Sequence, residues 1–206
     1  MEAQTKAARL YLRENRGVLD YPGLSIAIDD GRNYVLRSDE TFDIITADST
    51  HPINTSSWAL FTLEFYEQVR ERLAPDGVFI QWLPFHDLSL DDYRSIIATF
   101  RSVFPHTTIW YGGGPHTFML ATPEPFGRED VADLEPIMRA RGVGDDLQDG
   151  ELLHRAFLME ADDVARFVSG ASLVRDDTAF FVPAIEMERV LQSLALHRTP
   201  GGTPAR

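Results

Sequence analysis

The residues best placed to do chemistry in this chain are acids that end apolar runs. In FDIITADSTHPIN, residues 42–54, Asp48 follows an apolar stretch and precedes Ser49, Thr50, His51 and Pro52. A carboxylate at the mouth of a buried strand costs free energy unless it is hydrogen-bonded or faces a cation or water. From the residues alone two readings stay open. Asp48 closes an Asx-turn with Ser49 and Thr50 or caps the next helix, or it serves as a general base or as an anchor for an ammonium group. Asp29-Asp30-Gly31 poses the same choice. Glycine permits a tight turn there, and an acid beside it can accept hydrogen bonds from a ligand's amino or hydroxyl groups. The plainer alternative makes Asp30 a helix N-cap. Gln81 and Trp82 end a third apolar run, where an amide and a ring can line a pocket or simply belong to the core.

Other chemistries are excluded or unsupported. Without cysteine there is no disulfide, thiolate zinc site or cysteine nucleophile. The six histidines show no metal-ligand spacing and no HExxH pair exists, so no metal is expected. GxSxG and GxGxxG are both missing. The Gly112–Gly114 run lacks the strand-to-helix setting of a phosphate loop and reads as a hairpin turn. A net charge of −13 argues against nucleic acid or anionic lipid as partners. It suits a cationic ligand, but equally plain solubility. No apolar run approaches bilayer length and the first residues lack a signal peptide's apolar core. A cytoplasmic location is expected, or the cytoplasmic face of a membrane if an upstream membrane segment exists.

The elements that must position these residues alternate. Helical spacing opens the chain over residues 3–14, LSIAI (24–28) reads as a strand, and FDIITA (42–47) as a second. Phe65, Tyr66, Val69 and Leu73 mark an amphipathic helix ended by Pro75-Asp76-Gly77, and GVFIQWL (77–83) is a continuous apolar strand. Ser89 to Asp92 looks like a capping box opening a further helix. TTIWY (107–111) and TFMLAT (117–122) suggest a hairpin, and helices are expected over 129–141, 150–169 and 185–197. This pattern describes an α/β sheet with crossover helices, in which ligands sit beyond the carboxyl ends of the strands. Asp30 and Asp48 both fall at such ends.

Taken in order, IDDGRNYVL (28–36), FDIITADSTHP (42–52), LFTLEFYEQVRERLAPDGVFIQW (60–82) and FPHTTIWYGGGPHTFMLAT (104–122) resemble the polyamine aminopropyltransferases, the spermidine synthase family. THP after the strand aspartate and RDDTAFF (175–181) are most similar to its bacterial branch. The resemblance implies an α/β class I methyltransferase-like Rossmann sheet, truncated at its N-terminus, with a helical C-terminal extension. It divides the chain into a partial domain at 1–125, an extension at 126–198 and a disordered tail at 199–206. Asp48 then matches the catalytic aspartate, Asp30 and Gly31 the pair at the adenine, Pro52 a residue near the nucleoside, and Gln81 a pocket glutamine. With His51 and Trp82 beside Gln81, these form the expected substrate pocket. The resemblance implies a transferase using decarboxylated S-adenosylmethionine and an amine acceptor, with no metal and no nucleic acid. Alternatives are a methyltransferase using S-adenosylmethionine, or a non-catalytic polyamine- or nucleoside-binding remnant.

Two departures carry expectations. His51 stands where the family usually has a second aspartate, which removes an amine contact. The glycine-rich nucleoside loop and the N-terminal β domain have no counterpart here, so the isolated chain is expected to be inactive unless upstream residues complete it. In the family sheet two further strands separate those matching LSIAI and FDIITA. Direct pairing of these two strands, or rescue by another copy or an upstream partner segment, is therefore expected, because unpaired buried backbone is costly.

Overall fold

The computed structural model describes residues 2–48, 51–55, 57–141, 152–179 and 181–199. The chain divides into two compact units, Met1–Ser38 and Asp39–Arg206. The first holds helix α1 (Glu2–Ala8), two single 3-10 turns at Arg9–Tyr11 and Val18–Asp20, and helix α2 (Gly31–Arg37). None of its described side chains is buried. The expected LSIAI strand does not form: residues 24–28 join no ladder, and Ile26 and Ile28 are 50% and 55% exposed. An extended run becomes a strand only when a neighbour takes up its backbone groups. LSIAI has none, so the expected pairing with FDIITA is not observed.

The second unit is built on strands β1 (Phe42–Ala47) and β2 (Leu73–Pro84), joined by helix α3 (Leu63–Arg72). Helix α4 (Leu90–Val103) leads to the hairpin β3 (Thr107–Gly113) and β4 (His116–Ala121). Helices α5 (Arg128–Ala140) and α6 (Leu152–Ala156), strand β5 (Phe157–Met159), and helices α7 (Ala161–Phe167) and α8 (Met187–His197) follow. The sheet order is β1-β2-β4-β3-β5, with β1 and β2 parallel and every other pair antiparallel. A helix-linked parallel pair closed by an antiparallel hairpin is the α/β arrangement expected of a methyltransferase-like Rossmann sheet. Among the described residues no strand lies on the outer edge of β1, where Ile44 is 65% exposed. None of the helices is long and apolar enough, among the described residues, to cross a membrane.

One expected helix is divided. Residues 150–169 were expected to be continuous, yet Phe157–Met159 is a strand paired with β3 through Ile109 and Trp110. Phe157 and Met159 are both buried, so these three residues follow the two-residue period of a strand. Leu152, Leu153, Phe157 and Leu158 fit a helical period as well, and β3's open edge decides between the two.

Core packing fixes the parallel pair. Tyr66 of α3, Phe79 of β2 and Phe100 of α4 are fully buried, and the Phe79 and Phe100 rings stack at 5.2 Å. Gly77 lets β2 leave α3 without a loop, since a Cβ there would meet the Leu73 side chain at 2.7 Å. The later helices are strapped to this core. Arg94 donates to the carbonyls of Phe167 and Ser169 at 2.7 Å each. Val174 accepts from the Leu63 N–H at 2.9 Å and donates to Thr99 Oγ1 at 2.8 Å. Thr199, the first residue of the expected tail, donates its N–H to the Leu158 carbonyl at 2.8 Å. The rest of that stretch lies outside the described residues.

Candidate active site

The parallel register sets Ala47, the last residue of β1, opposite Gln81, three residues before β2 ends at Pro84. Asp48 is the residue immediately beyond the end of β1, and it is exposed. It has no partner among the described residues. Ser49 and Thr50, the expected Asx-turn partners, lie outside them.

Gln81 is fully buried on the sheet face that Phe79 shares, beneath α3 and α4. Its Nε2 donates to the Leu60 carbonyl at 2.8 Å, while its Oε1 is buried with no hydrogen-bond partner among the described residues. An orphan acceptor costs roughly 1–3 kcal/mol. Such an atom at the ligand end of a sheet suits a donor that arrives with a ligand. Trp82 is half-buried and, one residue on, points to the opposite face, where its ring lies 5.5 Å from that of His116.

Pro52 is buried and His51 half-buried in the loop after β1. His51 Nε2 lies 2.7 Å from the carbonyl of His86, in the loop after β2. A carbonyl only accepts, so Nε2 carries the proton and Nδ1 is free to accept from the Ile53 N–H at 3.3 Å. Burial lowers the His51 pKa, partly opposed by the bond to the His86 carbonyl and by Asp87. The ring therefore favours its neutral form and does not repel a cationic amine as an imidazolium would.

The sheet thus brings Asp48, His51, Pro52 and Gln81 to one end, with Trp82 on the far face. Asp30 and Gly31 belong to the other unit. Asp30 is the N-cap of α2 and accepts from the Asn33 N–H at 2.9 Å, the plainer of the two roles its sequence allowed. Sequence reasoning missed His86, Asp87 and His116. One ligating atom from each of His51, His86 and Asp87 lies within 4.8 Å of the other two. These residues sit in loops after different strands, so no spacing rule reveals them. The only sequence signal was their position after FDIITA and GVFIQWL.

A family model described as the spermine/spermidine synthase domain matches residues 4–120. A polyamine aminopropyltransferase from Enterobacter sp. (strain 638) is 39% identical over 121 residues, covering 55% of this chain and 42% of the relative. The chain therefore spans less than half the length of such curated relatives. Spermidine synthase from Thermotoga maritima superposes with a TM-score of 0.55 at 25% identity, over 81% of this chain and 55% of that one. A spermidine synthase solved in complex with the transition state analogue AdoDATO gives a TM-score of 0.50 at 24% identity, over 93% of this chain and 57% of that one.

Proposed function

The chain belongs to the spermine/spermidine synthase domain family, and from that premise we propose that it takes part in aminopropyl transfer from decarboxylated S-adenosylmethionine to an amine, with Asp48 as the base. The observation that carries this reading is the place of Asp48: exposed, directly beyond the carboxyl end of β1, where α/β sheets bind ligands.

The chemistry needs such a group. An alkylammonium has no lone pair and a pKa near 10, so it must lose a proton before it can attack. The freed nitrogen pair forms a bond to the methylene beside the sulfonium. The carbon–sulfur bond breaks, sulfur keeps that electron pair, and neutral methylthioadenosine leaves. A carboxylate can hold the ammonium in line with the breaking bond and accept its proton. Gln81 Oε1 is suited to accept a hydrogen bond from the ligand, and Pro52 to flank the nucleoside. Neutral His51 replaces an acidic amine contact, which disfavours a doubly charged diamine and favours an acceptor with a single ammonium group at that position. Asp30 and Gly31 are assigned to the adenine on family resemblance alone.

The test is incubation with decarboxylated S-adenosylmethionine and an amine panel, following methylthioadenosine release. Asp48→Asn is expected to cut turnover by about 10²–10⁴-fold with folding retained. Undiminished turnover in that variant, or turnover of S-adenosylmethionine alone to S-adenosylhomocysteine and a methylated amine, overturns the assignment.

A further inference from the structure

We propose that His51, His86 and Asp87 form a binding site for a divalent transition-metal cation of the zinc class, joining the loops after β1 and β2. The three ligating atoms converge within 4.8 Å. Bonds of about 2.0–2.2 Å in tetrahedral geometry need donors roughly 3.4 Å apart, so closing the site takes a shift of about 1 Å. Asp87 is exposed and can supply it.

Three further observations point to a ligand here. Among the described residues, His86 Nδ1 is buried without a hydrogen-bond partner, and so is Nδ1 of His116, whose ring lies 5.8 Å from that of His86. Orphaned imidazole nitrogens in two neighbouring rings are costly unless something accepts their lone pairs or protons. His51 is already oriented as a ligand: its Nε2–H is tied to the His86 carbonyl, as metal-bound histidines commonly are. Its Nδ1 would exchange a long 3.3 Å bond from Ile53 for the ion. Asp87 holds a left-handed φ of 56°, uncommon for a residue other than glycine. Its carbonyl also accepts from Ala184 at 3.1 Å, which anchors the loop that carries it.

Two imidazoles and one carboxylate leave a fourth position open and suit zinc, nickel or copper over magnesium or calcium. The ion would join residues 35 apart in sequence and hold fixed the loop that follows Asp48. The site shares His51 with the proposed amine pocket, but its test uses no substrate, so its failure leaves aminopropyl transfer standing.

Protein stripped with chelator and titrated calorimetrically with zinc chloride should take up one equivalent per chain, with a matching rise in thermal midpoint. His86→Ala should weaken binding at least tenfold and abolish that rise. Asp87→Asn tolerates the left-handed backbone as aspartate does and removes only charge, so it reports even if the histidine variant misfolds. It too should lose affinity. No uptake by the parent, or uptake left unchanged by both variants, overturns the proposal. The second result would place the zinc on other histidines.

Discussion

Gln81→Met tests whether the buried orphan acceptor belongs to a ligand site. The parent amide gains about 1 kcal/mol from its bond to the Leu60 carbonyl and loses roughly 1–3 kcal/mol through unpaired Oε1. Methionine fills similar volume and removes both terms. The loss of the first, with Leu60 left half-buried and unpaired, offsets removal of the second. Stability should therefore move by less than about 1 kcal/mol, or a few degrees in thermal midpoint. Affinity for methylthioadenosine, the leaving group of the proposed reaction, should fall about tenfold, since one hydrogen bond in the complex is gone. Gln81→Glu should behave differently, placing an unpaired carboxylate in the core against the Leu60 carbonyl and destabilising by several kcal/mol. Urea unfolding and calorimetry measure both quantities. If Gln81→Met costs more than about 3 kcal/mol while leaving nucleoside affinity unchanged, the amide is purely structural and the reasoning fails.

Two tyrosines should respond oppositely to the same change. The Tyr66 hydroxyl is fully buried without a partner among the described residues, and burial raises its pKa, so Tyr66→Phe should stabilise by about 1 kcal/mol in urea melts. Tyr93 is equally buried but donates to Thr117 Oγ1 at 2.8 Å, while Thr117 donates to the Leu83 carbonyl at 2.7 Å; Tyr93→Phe should cost about 1 kcal/mol. Acid should expose His51. Its folded pKa lies below the unfolded 6.5, so the unfolded chain binds more protons between those values, and stability falls as pH drops through that window. With chelator present, His51→Gln should flatten the decline in urea midpoint. Arg94→Ala should cost about 2–3 kcal/mol by stranding the carbonyls of Phe167 and Ser169, and Arg94→Lys should restore only part because it lacks the planar fork.

The parallel pair, its crossover helix and the hairpin were legible because each carries its own pattern of apolar residues. Ser89 was legible as a cap through local chemistry, and it accepts from the Asp92 N–H at 3.0 Å. LSIAI was misread because alternation states a preference, while pairing depends on a neighbour that no local window contains. Phe157–Met159 was misread for the converse reason, since a partner edge existed that the window could not show. At the site, Asp48 was visible as an acid out of place on an apolar run. The orphan oxygen of Gln81 and the meeting of His51 with His86 arise only when loops far apart in sequence close on each other.

The strapping of late residues onto early ones has a consequence for how the molecule comes into being. Leu63 is tied to Val174 and Leu158 to Thr199, so α3 and β5 each wait for backbone partners translated well after them. A nascent chain halted before residue 174 would hold its first parallel strands with one flank of α3 unfinished. Completion of that flank therefore waits until the segment carrying Val174 has emerged from the ribosome.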